Sequence, residues 1–269
     1  MIYLKSENEI EKMRESAQLV SRTLGEVGKL IEPGVETGTL DRVAEDYIIK
    51  NNAQPAFKGY GSRKNPFPGT LCISVNEEVV HGIPSNRKLV EGDIVSIDCG
   101  VEKNGYFGDH AFTFAVGECD EKALNLLRVT LESLYKGIDE AIHGNKIGDI
   151  ASAIQTHCEG NGYGVVRDLV GHGLGKSLHE DPSVPNFGKK GRGERLRTGM
   201  TLAVEPMITM GSWRVKTLND GWTVCTADGS LAAHFEHDIV VREGKAEILS
   251  TFDYIAELSK NQENIIYHG

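Results

Sequence analysis

The chain predicts an α+β protein of two related halves, with a central, mostly antiparallel sheet and helices outside. Three observations predict it. Two helices followed by strands occur twice along 269 residues. The loops joining the paired helices, Gly34-Val35-Glu36-Thr37-Gly38-Thr39-Leu40 and Gly144-Asn145-Lys146-Ile147-Gly148-Asp149-Ile150, share glycines at an offset of 110 residues, an offset that Asn51 and Asn161 keep. In each half the apolar period changes from 3.6 to 2. The expected division is one domain, 1–269, with halves of about 1–117 and 118–250 related by a pseudo-two-fold axis.

The first helix shows Ile10, Met13, Ala17, Val20, Leu24, Val27 and Ile31 in steps of three and four, one apolar face. Ser6 and Glu9 have capping-box spacing and Pro33-Gly34 ends the run. A second helix is expected over about 39–50, with Leu40, Val43, Ala44, Tyr47 and Ile48 inward. Residues 51–70 carry Asn, Gly, Lys and three prolines and read as a long loop. Strands follow over 71–80 and 93–116. In the second half, Leu124, Leu127, Leu131, Leu134 and Ile138 stripe a helix over about 120–141, another runs over about 147–159, and strands resume.

The formal charge of −10 and pI near 5.4 argue against general affinity for nucleic acid. Five cysteines, Cys72, Cys99, Cys119, Cys158 and Cys225, form no CxxC pair and read as reduced thiols. The amino terminus turns polar too soon for a signal peptide, and no apolar run approaches the ~18 residues that cross a bilayer. A soluble, cytoplasmic protein is expected.

Asn104-Gly105 is a strong hairpin signal, because a type I′ turn needs positive φ at both central residues. With that turn, Asp98 opposes Ala111 and Asp109 opposes Gly100. Both acids then project from one face as diagonal neighbours roughly 7 Å apart. A solvated hairpin face would also carry two acids, but Ile94, Val95, Ile97, Phe107, Phe112 and Phe114 are too apolar for an exposed ribbon.

Within 200–208, Glu205 shares its face with Thr201 and Ala203, and a carboxylate in so apolar a strand needs a partner. Pro206 cannot donate to a ladder, so the strand end opens onto a cavity or edge. Over 232–241, Glu236 shares a face with His234 and Asp238, a pattern that equally suits an ordinary strand with one wet face. His172 stands in Gly171-His172-Gly173-Leu174-Gly175, with His179 seven residues later. The glycines argue for a loop that approaches a ligand closely, and His81 after a strand is a third candidate. Asp98, Asp109, His172, Glu205 and Glu236 together make an oxygen-rich set whose charge of about −4 would balance two divalent cations, which suggests metal-assisted hydrolysis rather than a simple binding module.

That order of residues resembles the ligand signature of the methionine aminopeptidase family, whose architecture is the pita-bread fold. Asn76-Glu77, His81-Gly82-Ile83-Pro84, Gly171-His172-Gly173 with His179-Glu180, Glu205-Pro206, Gly221-Trp222-Thr223 and Phe235-Glu236-His237 carry the resemblance further. Only 25 residues separate His179 from Glu205, too few for the helical subdomain of the type II enzymes. The chain thus resembles the compact type I form without an amino-terminal zinc-binding extension.

The resemblance implies removal of the initiator methionine from nascent chains and peptides, with a small second residue preferred. It implies two divalent ions (Mn, Fe, Co, Ni or Zn), Asp98 chelating one, Asp109 and Glu236 bridging both, and His172 and Glu205 completing the other. Glu205 would take a proton from water, His179 would bond the carbonyl as it becomes an oxyanion, and His81 would contact the substrate nitrogen. Tyr60, Cys72, His81, Leu178, His179 and Trp222 would contact substrate, and a monovalent cation would sit near Asn76. A transient ribosome contact and a monomer are also implied. Two departures touch the entrance. Leu178 stands where many relatives carry an aromatic residue, and the 61–69 loop is longer than in familiar bacterial members. The competing expectations are a proline-specific pita-bread peptidase and a non-catalytic relative that binds a protein partner.

Overall fold

The structure, a computed structural model, describes residues 1–259. Helix α1 (Glu7–Gly28) opens as expected: the Glu9 carboxylate accepts from the Ser6 backbone N–H at 2.9 Å and from its hydroxyl at 2.8 Å. It buries Ile10, Met13, Ala17, Val20, Leu24 and Val27. Helix α2 (Thr37–Lys50) starts two residues before the expected point, where Thr37 Oγ1 accepts from the Ser85 N–H at 2.9 Å, a tertiary contact with no local signal.

Residues 51–70 are not an unbroken loop. They hold β1 (Gln54–Pro55) and a small hairpin of β2 (Gly61–Ser62) and β3 (Asn65–Pro66). The prolines that suggested a loop are tolerated because these are edge pieces. β4 (Leu71–Val75) and β5 (Glu78–Val80) follow, parted by a turn at Asn76 with φ 60°.

β6 (Ile94–Lys103) and β7 (Tyr106–Ala115) form the expected hairpin, with φ of 55° and 77° at Asn104 and Gly105. Its register is the expected one, Asp98 facing Ala111 and Asp109 facing Gly100. One face carries Val95, Ile97, Phe112 and Phe114 into the core against α1. The other carries Asp98 and Asp109. Phe112 lies 5.0 Å from Phe235 and 4.9 Å from Phe252 between ring centroids.

In the second half α3 (Glu121–Asp139) is capped by Asp120, which accepts from the Lys122 N–H at 2.7 Å. Its buried stripe includes Leu126 and Val129, while the expected Leu124 and Leu131 are half-buried at the margin. It packs on α4 (Ile147–Gly160). Short strands then alternate with turns: β8 (Gly164–Val165), β9 (Gly171–Gly173), β10 (Glu180–Val184), β11 (Thr201–Val204), β12 (Met207–Thr209), β13 (Val215–Thr217), β14 (Val224–Thr226), β15 (Ala232–His234), β16 (His237–Val240) and β17 (Glu247–Ile248), before α5 (Asp253–Ser259).

Every named ladder is antiparallel, in sheets ordered β1-β6-β4 with β7 on β6, β10-β9-β11-β16-β17, β15-β12-β8 and β13-β14-β5. Two sequence expectations change here. The His172 segment is the strand β9, hydrogen-bonded between β10 and β11, because its glycines let the neighbouring backbones approach. The 232–241 run is broken at Phe235-Glu236, and neither side of it is wet: His234, Glu236 and Asp238 are all buried.

That break joins the sheets. The Glu236 N–H donates to the Ala111 carbonyl at 3.0 Å, and the Asp109 N–H donates to Asp238 Oδ2 at 2.8 Å. Thr113 Oγ1 donates to the His234 carbonyl at 2.7 Å. Among the described residues no helix is long and apolar enough to cross a membrane.

Candidate metal centre and substrate cavity

The seam between β7 and the β15–β16 break brings together side chains far apart in sequence. Ligand atoms of Asp109, His172 and Glu236 lie within 4.8 Å of one another. His172 Nε2 is 3.8 Å from Asp109 Oδ2 and 3.6 Å from Glu205 Oε1. Asp98 completes the set from the facing strand of the hairpin, lining the same cavity. All five expected ligands therefore converge.

Each is held by its own backbone. His172 Nδ1–H donates to the Gly173 carbonyl at 2.9 Å, which fixes the tautomer and leaves Nε2 as a lone-pair donor toward the acids. Glu205 follows β11 at the Pro206 break, its carbonyl accepting from the Asn186 side-chain amide at 2.8 Å. His110 Nδ1–H donates to the Glu236 carbonyl, and His110 stacks on His237 with centroids 4.8 Å apart.

The electrostatics point to cations. Asp98 Oδ1 and Glu236 Oε1 are buried without a hydrogen-bond partner, a costly arrangement for any polar atom. Burial pushes the Asp98 carboxyl up to about 7 and Glu205 up to about 8. Asp109 is raised by burial and then by the charges of Asp98, Asp238 and Glu205, and Glu236 by burial and then by those of Asp109, Glu205, Asp98 and Asp238. Burial lowers His172 to about 3 and His81 to about 4, so both rings are neutral near pH 7, the form in which imidazole binds metal. Imidazole with carboxylates suits Mn or Fe as well as Co, Ni and Zn, and divalent charge would satisfy the orphan oxygens.

This has a measurable sign. Raised carboxyls bind more protons folded than unfolded, so metal-free protein loses stability as pH rises from the unfolded values near 4 to the folded values of about 7 and 8. The depressed histidines act oppositely, but only below about pH 6.5. Between about pH 6.5 and 8 the carboxyls act alone. Metal-free protein is expected to lose on the order of 2 kcal/mol there, several degrees of Tm, and saturating divalent metal to abolish the loss. A metal-free Tm that rises over this range would contradict the electrostatic assignment.

A cavity of about 140 Å³ is lined by Phe57, Tyr60, Phe67, Cys72, His81, Leu178, His179 and Trp222 together with Asp98, Asp109, His172, Glu205 and Glu236. Every residue expected to contact substrate borders it. His81 has φ 59°, unusual for a non-glycine residue, and is held there by Gly82, where a Cβ would lie 2.1 Å from the Ile73 carbonyl oxygen. The Tyr60 hydroxyl lies 2.6 Å from His179 Nδ1, and His179 packs edge-on to His172 with centroids 4.2 Å apart. Burial lowers the His179 pKa, so its ring is neutral. If Tyr60 donates to Nδ1, the proton sits on Nε2, which becomes a donor for substrate.

Four participants escaped the sequence. Phe57 and Phe67 wall the cavity from a segment with no periodicity. His234 Nε2 lies 3.5 Å from Glu205 Oε2 with no hydrogen bond, and Asp238 accepts from the Asp109 N–H while its Oδ1 stays unpaired. The shared face of His234, Glu236 and Asp238 was visible as alternation, but alternation does not say what lies opposite. Asn76, the residue expected near a monovalent cation, spends its side chain inside the protein: Nδ2 donates to Asp93 Oδ1 at 2.8 Å and Oδ1 accepts from the Ile94 N–H at 3.0 Å.

The chain is similar to known proteins over most of its length. Residues 11–243 match metallopeptidase family M24. The chain is 53% identical over 251 residues to a methionine aminopeptidase of Clostridium acetobutylicum, covering 93% of this chain and 99% of that protein. It is 50% identical over 250 residues to methionine aminopeptidase 1 of Bacillus subtilis, covering 93% and 99%. The crystal structure of methionine aminopeptidase from Thermotoga maritima superposes with a TM-score of 0.90 at 48% identity, covering 93% of this chain and all of that one.

Proposed function

The chain belongs to metallopeptidase family M24, and from that premise we infer that it is a metal-dependent hydrolase of pita-bread fold that removes amino-terminal methionine from peptides and nascent proteins. The observation that carries this reading is the convergence of Asp98, Asp109, His172, Glu205 and Glu236 beneath a small, mostly apolar cavity. That cavity suits an unbranched thioether, and Cys72, Phe57, Phe67 and Leu178 form its buried apolar wall.

Asp98, Asp109, His172, Glu205 and Glu236 would hold two divalent ions, Asp109 and Glu236 being placed to serve both. When bound, such ions acidify an attacking water, polarise the scissile carbonyl and hold the substrate's free amine. The protein's own groups do the rest. A Glu205 carboxylate oxygen receives the water's proton. The His179 Nε2–H, set by Tyr60 at Nδ1, donates to the carbonyl oxygen as negative charge develops there. His81 faces the substrate nitrogen and assists protonation of the leaving amine. Trp222, backed edge to face by the buried Phe67 at 5.3 Å, narrows the rim, which favours a small second residue.

The same reading places the protein in the cytoplasm as a monomer with transient ribosome contact. It assigns a monovalent cation to backbone oxygens near Asn76 and divides the catalytic domain into halves of about 1–117 and 118–250.

The test is to strip metal, add back Mn, Fe, Co, Ni or Zn without oxygen, and assay Met-Ala-Ser, Leu-Ala-Ser and X-Pro peptides. Met-Ala-Ser should be cleaved about tenfold or more faster than Leu-Ala-Ser, and X-Pro peptides should resist. Cleavage of X-Pro alone would replace this reading with a proline-specific one. Stoichiometric metal binding without any peptidase activity would replace it with a binding role.

A further inference from the structure

The β2–β3 hairpin stands at the cavity mouth, and its base is clamped on several sides. Tyr60, just before β2, meets His179; Phe67, just after β3, packs edge-on to Trp222. Gly61, at φ 94°, lies so near Trp222 that a Cβ would sit 2.6 Å from its Cη2. Asn65 donates its side-chain amide to the Asp220 carbonyl at 3.0 Å. The hairpin is therefore built onto the two rings that border the substrate cavity.

Its tip is the two-residue turn Arg63-Lys64, which is exposed. Among the described residues neither side chain has an ion pair or hydrogen-bond partner, whereas nearby charges are engaged. Lys58 pairs with Glu45 at 2.6 Å and Lys5 with Glu180 at 2.5 Å. The Asp220 carboxylate accepts from the Trp222 N–H at 2.8 Å and from the Thr223 N–H and hydroxyl at 2.9 and 2.7 Å. Two unpaired cations thus stand at the tip of a hairpin whose base borders the cavity, in an enzyme whose net charge is −10. At physiological salt, charges beyond about 8 Å are screened, so a chain passing the hairpin feels these two cations and the neighbouring Asp220 rather than the net charge of the protein.

We propose that Arg63 and Lys64 form a binding site for acidic side chains a few residues downstream of the amino-terminal methionine, so that substrates with acidic early sequence are taken preferentially. The inference rests on the aminopeptidase reading and names a substrate class for it. Exposed opposite charges at this range are each worth about a two- to fivefold change in binding.

The test compares kcat/KM of the metal-loaded enzyme on carboxy-amidated Met-Ala-Ser extended by three Glu, three Gln or three Lys, at low salt, with Met-Ala-Ser as reference. The Glu/Gln ratio should be about fivefold, carried mostly by KM, and should fall toward one in high salt. It should approach one in R63Q/K64Q. In R63E/K64E the preference should invert toward the Lys peptide, which a merely damaged hairpin cannot produce. A Glu/Gln ratio below about twofold in the unsubstituted enzyme, or one that survives charge reversal, would overturn the proposal while leaving the peptidase intact. Failure to cleave Met-Ala-Ser at all would overturn both.

Discussion

Glu236→Gln is expected to lower kcat/KM by about 10³-fold or more, a barrier increase of about 4 kcal/mol, and to reduce bound divalent metal below two per chain. Glu236 is 2% exposed, its Oε1 has no partner, and it belongs to the cluster with Asp109 and His172. Glutamine keeps the volume and removes the charge that a shared ligand must supply. Stability should move the other way. Burial and the charges of Asp109, Glu205 and Asp98 raise the Glu236 pKa, so its ionised form is a cost to the metal-free fold at about pH 8. Metal-free Glu236→Gln should therefore melt above metal-free parent protein at that pH. An inactive variant that melts lower and still binds two metals would mean that Glu236 supports the seam rather than the ions.

His179→Ala should cut kcat by about 10² to 10³-fold while leaving metal content unchanged, the size of effect expected when one oxyanion donor is removed. The control matters because His179 packs against His172, a proposed ligand, with ring centroids 4.2 Å apart. If metal is lost instead, His179 is a ligand and its role here is wrong. Tyr60→Phe should retain metal and lose only about fivefold in kcat, since it removes a hydrogen bond that holds the imidazole and leaves the ring in place. A Tyr60→Phe variant as impaired as His179→Ala would place the proton donor on the tyrosine.

Local rules made the ligand strands legible. Asn104-Gly105 fixed the hairpin register, and register with period two put Asp98 and Asp109 on one face. Pro206 correctly marked the end of the ladder at Glu205. The nature of the Glu236 segment was not decidable locally: whether its face is wet depends on β7, more than a hundred residues earlier, lying against it. The same is true of His172, whose flanking glycines read as loop but serve close approach to Ala203 and Asp181 backbone oxygens within a sheet. The early start of α2 and the strand β1 follow from tertiary hydrogen bonds, whereas β2 and β3 pair locally across the Arg63-Lys64 turn, which carries none of the usual glycine or asparagine turn residues. His234 and Asp238 could be seen on the right face but gained meaning only from Glu205 and Asp109 opposite them.

Crystals grown with Mn²⁺ and measured near its absorption edge would locate the ions directly. Two anomalous peaks about 3.5 to 4 Å apart are expected, both touching Asp109 and Glu236, one also touching Asp98 and the other His172 and Glu205. Strong peaks elsewhere, with these five side chains bonded only to one another or to water, would contradict the metal centre and the hydrolysis built on it.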